Sequence, residues 1–150
     1  MIVKAEEQHL NIVRKITQHT IDEIYHHYYP IGAVEFFKLH HNDENILVDI
    51  NNGIVFLLKD ADCFVGTVTI RKNEICRLFV LPEFQHKGFG KQLMNFAEDE
   101  ISKNYCEVML DASMPAKRIY KMRGYAEIEY NQIETENGDV LCYDVMKKEC

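Results

Sequence analysis

No stretch of this 150-residue chain approaches the ~20 apolar residues that a membrane-crossing helix needs, which argues against a membrane partner. No Cys-x-x-Cys pair occurs among the five cysteines (Cys63, Cys76, Cys106, Cys142, Cys150), and their number is odd. That pattern argues against a disulfide framework and a zinc site; the thiols read as reduced, cytoplasmic and small hydrophobes. Glu6, Glu7 and Gln8 stand where a secretion signal would need its apolar centre. Internal repeats and Pro/Gly/Ser-rich linkers are missing too, so residues 1–150 read as one domain. Positive charge is scarce: 17 Lys and Arg face 24 Asp and Glu, for a net charge of -7. A nucleic-acid partner needs a concentrated basic surface, and none is visible.

What is present is a soluble composition, 47% hydrophobic and 27% charged, with a change of period along the chain. A short apolar start reads as an edge strand running to Glu7. Leu10, Val13, Ile16, Thr20, Ile24 and Tyr28 then recur at helical steps, giving a helix from Leu10 to Tyr28. Pro30 and Gly32 break it, and Ala33 to His41 resumes as a second helix. Ile46–Ile50 and Ile54–Leu58 flank Asn51-Asn52-Gly53, which reads as a tight turn between strands. Phe64–Ile70 and Glu74–Leu81 extend this antiparallel meander. A helix starts after Gly88, a strand spans Tyr105 to Leu110, and Ala116 to Arg123 is helical between Pro115 and Gly124. Ala126–Glu134 and Val140–Met146 close the chain as a hairpin. The predicted order is β-α-α-β-β-β-α-β-α-β-β: an α/β (α+β) fold with a central mixed, mostly antiparallel twisted sheet flanked by helices.

One segment carries chemistry. After the strand Glu74–Leu81 comes Gln85-His86-Lys87-Gly88-Phe89-Gly90-Lys91, opening a helix. Gly88 and Gly90 remove side chains where a backbone would approach a ligand, and the helix start offers unpaired N–H groups. Gln85, Lys87 and Lys91 add donors and charge. These are the parts of a pyrophosphate cradle. A Walker loop fails, because Gln85 stands where its first glycine belongs and Gln92 where its Ser/Thr belongs. The dinucleotide pattern fails at Leu93, where its third glycine is required.

The segment closely resembles the GNAT superfamily of acyl-CoA-dependent N-acetyltransferases, whose Gln/Arg-x-x-Gly-x-Gly/Ala motif is met by Gln85, Gly88 and Gly90. Two further stretches carry the resemblance: Arg77-Leu78-Phe79-Val80-Leu81-Pro82-Glu83, and Ala116 to Tyr125, similar to the family's A-x-x-x-Y-x-x-x-G-[FY]. The resemblance implies direct transfer of acetyl from acetyl-CoA to an amine, with no acyl-enzyme and no metal. It implies a pantetheine arm paired with the backbone of Phe79 and Val80. The pyrophosphate would sit on the N–H groups of Gln85, His86, Lys87, Gly88, Phe89, Gly90 and Lys91. Ser113 and Lys117 would make further contacts, and Ser113 stands where many relatives carry Asn. Tyr120 matches the general acid that protonates the leaving thiolate; a helix aromatic packed on the sheet is the plainer alternative.

Glu74 matches the base glutamate of histone-type members, although a solvated glutamate beside Lys72 fits the position equally well. Asp111 and Glu83 are substitutes with less support. The acceptor implied is a primary amine of a small molecule. The alternatives are a peptide or protein amine, and a silent acyl-CoA-binding regulatory module. The terminal strands often form homodimers in this superfamily. His26-His27 and His40-His41 lack accompanying ligands at metal spacing and read as surface residues. Tyr28 and Tyr29 fit the acceptor cleft and the core equally.

Overall fold

The period-two runs in the middle and at the end of the chain pair into one seven-stranded sheet of order β1-β2-β3-β4-β5-β7-β6. In this computed structural model, which describes residues 1–150, the strands are β1 (Ile2–Lys4), β2 (Val55–Asp60), β3 (Cys63–Arg71), β4 (Glu74–Val80), β5 (Glu107–Ala112), β6 (Ala126–Glu134) and β7 (Val140–Glu149). Every neighbouring pair is antiparallel except β4 and β5, which run parallel. The α/β reading holds, with the mixed and mostly antiparallel sheet predicted.

Alternation along the strands divides the apolar residues between two faces. On one face Val68, Ile75, Val80, Val108, Leu110 and Met146 pack beneath α4 (Phe89–Ser102) and α5 (Met114–Met122), through Leu93, Ala97, Ile101 and Tyr120. On the other, Val55, Leu57, Phe79 and Leu141 meet α1 (Leu10–Ile24), α2 (Ile31–His40) and α3 (Asp43–Asn51), through Val13, Ile16, Ile21, Val34, Ile46 and Ile50.

Helix α3 corrects the sequence reading, which makes Ile46–Ile50 a strand and Asn51-Asn52-Gly53 a hairpin turn. Asn42 caps the helix by accepting a hydrogen bond from the Asn45 N–H at 2.9 Å, and Asp43 and Glu44 favour its first turn. Ile46 and Ile50, four residues apart, are both buried while Val48 is exposed, the spacing of a helix face. Gly53, at φ 71°, lies just beyond the end of this helix.

Helix α1 also ends earlier than predicted, at Ile24, and a 3-10 turn over Tyr25–His27 carries the chain to Pro30. The cysteines are free, yet Cys63, Cys106 and Cys150 are exposed at element ends, so these three do not act as core hydrophobes. No helix is long and apolar enough to cross a membrane.

Candidate active site

The site begins as a defect in the sheet. Thr69 lies opposite Arg77 and Ile70 opposite Ile75, which leaves Cys76 as an extra residue bulged out of β4. A bulge bends its strand and sharpens the local twist. The parallel pairing of β4 with β5 covers Glu74–Met109 and Ile75–Leu110 and stops at that bulge. Beyond it the two strands part into a V that opens toward the glycine turn and the start of α5.

The free edge of β4 can be read from its other edge. The Leu81 N–H donates to the Val65 carbonyl at 2.9 Å, and Thr67 lies opposite Phe79. Antiparallel alternation then turns the polar groups of Phe79 toward β3, and those of Leu78 and Val80 into the V. The expectation for Phe79 is thereby corrected: Leu78, not Phe79, joins Val80 in offering backbone to an extended ligand. Phe79 contributes its ring instead, packed against Tyr25 and His41 on the α1–α3 face.

At the mouth of the V, six consecutive N–H groups, from His86 to Lys91, have no acceptor in the chain. His86 (φ 62°) and Gly88 (φ 89°) adopt left-handed backbone, the conformation that turns successive N–H groups toward one point. A Cβ at Gly88 would meet nothing within 4 Å, so its glycine is required by φ and not by crowding. Gln85 is committed differently from the expectation: its side-chain Nε2 donates to the Val80 carbonyl at 2.9 Å, tying the turn to the end of β4. Lys87 lies over the Phe84 ring at 5.3 Å, and Lys91 is exposed. Lys117 is not directed at the turn, because its ammonium bridges Asp144 at 2.9 Å and Glu127 at 3.1 Å. These observations fit a pyrophosphate with an extended arm, and the burden falls on backbone.

Two tyrosines approach from opposite faces. Tyr120, in the α4–α5 core, is buried, and burial first and Tyr25 second hold its phenol well above the usual tyrosine range. Tyr25, from the other core, places its hydroxyl 3.4 Å from the Ser113 Oγ at the end of β5. Tyr29 receives the Met114 N–H at 2.7 Å, fixing the start of α5. Tyr25 escapes the sequence reading, because a tyrosine in a Tyr-His-His-Tyr-Tyr run carries no signal until the fold brings it to Ser113.

Glu74 and Asp111 flank the apex of the V. Ile75, Val108, Leu110 and Ala112 fill the α4–α5 core, so by alternation both carboxylates project on the α1–α3 face. Burial holds the Glu74 carboxyl above its ordinary range and Asp111 adds to this, while Arg71 opposes it. Asp111 is raised likewise by burial and then by Glu129, against His40. Glu83, the other substitute, instead meets His19 at 3.5 Å at the surface. Cys76 is no nucleophile, since burial and the Glu74 charge push its thiol up to about 11.

Beside this apex lies a cavity of about 250 Å³ lined by residues of α2, α3, β3 and β4. Arg77, 4% exposed, donates from Nε to the His41 Nδ1 (3.2 Å), from Nη1 to the Thr69 hydroxyl (3.0 Å) and from Nη2 to Asp49 (3.2 Å). Arg71 Nη2 donates to the other Asp49 oxygen at 2.9 Å. His41 is thus not the surface residue predicted: it is buried, and burial followed by Arg77 lowers its pKa to about 3. Asp49 is equally hidden from a strand reading of Ile46–Ile50. No group of three or more His, Cys, Asp or Glu converges as a metal site.

A parallel pair of strands parted by a bulge, with six free N–H groups at its mouth, is the frame this fold presents to a ligand. The Acetyltransferase (GNAT) domain family matches residues 24–148, and the chain belongs to that family of acyltransferases, which use acetyl-CoA. Among curated proteins none is similar enough to match. The fold is shared with a GCN5-related N-acetyltransferase from Rhodopseudomonas palustris (TM-score 0.91, 17% identity, covering 100% of this chain and 95% of that one). It is shared too with the PaiA N-acetyltransferase from Thermoplasma acidophilum in complex with coenzyme A (0.77, 21%, 100% and 98%). A third similar structure is the ribosomal-protein-alanine N-acetyltransferase from Brucella melitensis (0.75, 14%, 100% and 99%).

Proposed function

We propose that the protein transfers acetyl from acetyl-CoA directly to a primary amine of a small molecule, with both substrates bound together. The observation that carries the reading is the V between β4 and β5, with an open β4 edge along one wall and two carboxylates at its apex, Glu74 partly buried and Asp111 exposed. The N–H groups of His86 to Lys91 hold the pyrophosphate, and the backbone of Leu78 and Val80 holds the pantetheine arm like an added strand. Ser113, whose oxygen already accepts from Tyr25, keeps its own proton for the same arm.

An ammonium must first lose a proton to become a nucleophile. Glu74 takes it and passes it to water, and the raised pKa of this carboxyl makes it a better base near neutral pH. The amine nitrogen then bonds to the acetyl carbon as the C–S bond breaks. Tyr120 gives its proton to the departing sulfur and recovers one from the new amide nitrogen. The net change releases one proton per turnover. Burial of Tyr120 opposes a lasting phenolate, and the same dry surroundings disfavour a free thiolate, so the transfer stays balanced.

Peptide acceptors are the second reading, favoured by the shared fold with the ribosomal-protein-alanine enzyme. Small molecules are preferred because the cavity beside the apex holds about 250 Å³. The test is release of free CoA from acetyl-CoA across a panel of amines and amino-terminal peptides. Release with small amines is expected. Tight CoA binding with no release on any acceptor would instead make the protein a binding module.

A further inference from the structure

The cavity between α2, α3 and β4 holds an unequal charge count. Two guanidinium groups, Arg71 and Arg77, share one carboxylate, Asp49. The lining histidines do not offset this excess with negative charge, and burial, with Arg77 next, keeps both below the usual histidine range and therefore neutral at pH 7. The cavity therefore carries a surplus positive charge inside a chain of net charge -7. Arg77 is nine-tenths buried and held by three partners. Arg71 is half exposed, with one oxygen of Asp49 and the weakly polar Cys76 Sγ (3.6 Å) as its contacts, so it retains donors for a ligand.

This cationic cavity adjoins the carboxylates. Cys76, which lines it, stands two residues along β4 from Glu74 with its Sγ 3.8 Å from the Glu74 carbonyl, and His40 lies within the fields of Arg77, Arg71, Asp111 and Asp49 together. A molecule placed across His40 would meet positive charge at one end and Glu74 with Asp111 at the other. Val48, 55% exposed on α3, gives the cavity an aliphatic wall.

We infer that the acceptor is a zwitterion, a primary amine that also bears a carboxylate, with the carboxylate anchored by Arg71 over the fixed Arg77–Asp49 pair and the amine delivered to Glu74 and Asp111. This rests on the acetyl-transfer reading of the same site. Arg71 is a substrate-binding residue in this arrangement, Arg77 and Asp49 are positioning residues, and His41 fixes Arg77 through Nδ1. A guanidinium is suited to the task because it meets both carboxylate oxygens at once.

The experiment compares amino acids with their decarboxylated counterparts: alanine and β-alanine with ethylamine, γ-aminobutyrate with propylamine, leucine with isoamylamine, and phenylalanine with phenethylamine. The expected result is a kcat/KM higher by about tenfold or more for the acid in at least one pair, the worth of one charge-assisted contact. Arg71→Gln should collapse that ratio toward one, and Arg71→Lys should restore part of it. Equal or better turnover of the decarboxylated amine in every pair overturns the inference while acetyl transfer stands. If no amine is turned over, calorimetric titration of the same pairs onto the CoA-loaded protein decides. Binding of an acid but not of its amine supports the cavity assignment, and binding of neither overturns it. Lack of turnover itself counts separately against the transferase reading.

Discussion

The two halves of the site are built from different materials. The half proposed for the donor uses main chain: six N–H groups at the start of α4 and the open edge of β4. Its side chains mostly hold the frame, as Gln85 does on the Val80 carbonyl. The acceptor half uses side chains, with Arg71, Arg77, Asp49 and His41 drawn from three elements and the loop after α2. A backbone site demands glycines and turn geometry, and tolerates much else. A side-chain site demands particular residues, and changing one changes what is bound.

Substitutions can break this division. The largest effect belongs to Tyr120, which in the proposed mechanism serves the chemistry and neither binding half. Tyr120→Phe should lower kcat by about 10²–10⁴, the usual worth of a positioned acid, with the Kd for CoA nearly unchanged. Steady-state rates and a CoA titration measure both, and an unchanged kcat would remove Tyr120 from the reaction. Gly88→Val tests the main-chain half. A side chain at φ 89° costs about 1–2 kcal/mol and turns the N–H groups away, so CoA affinity should fall about tenfold. The KM of a saturating amine should move little in that variant; an equal shift in both would erase the division.

A third effect lies in the acceptor half and shows in stability instead of in catalysis. His41 has a folded pKa of about 3, against ~6.5 when unfolded. Above pH 6.5 it is neutral in both states and costs nothing. Between about 6.5 and 3 the unfolded chain takes up a proton that the folded chain refuses, so stability drops by about 1.4 kcal/mol per pH unit from this group. His41→Gln should flatten the fall of Tm between pH 6.5 and 4. An unaltered slope would mean that His41 protonates without disturbing Arg77.

Legibility in the sequence follows the same division. Gly88, Gly90 and Gln85 mark the cradle, and Tyr120 lies in a recognisable block; the strands around them pair almost as their alternation predicts. Ile46 to Ile50 misleads because four apolar residues interrupted by Asp49 fit both periods, and the deciding cap, Asn42, lies four residues upstream of Ile46. With that helix missed, Asp49 could not be placed and His41 looked exposed. The bulge at Cys76 is equally silent, since an inserted residue shows only against a partner strand.

The chain by itself determined the order of elements from β2 onward, the glycine turn that opens α4 and the family, because those depend on local conformation and on spacing along the backbone. Tertiary structure alone decided that β4 leaves β5 after Ile75, that Leu78 and not Phe79 faces the V, and that Arg77 is clamped by Asp49, Thr69 and His41. Asp49 and Arg77 are 28 residues apart, and Tyr25 and Ser113 are 88 apart. Such pairs meet through helix and sheet packing, a long-range outcome that no local window of sequence contains.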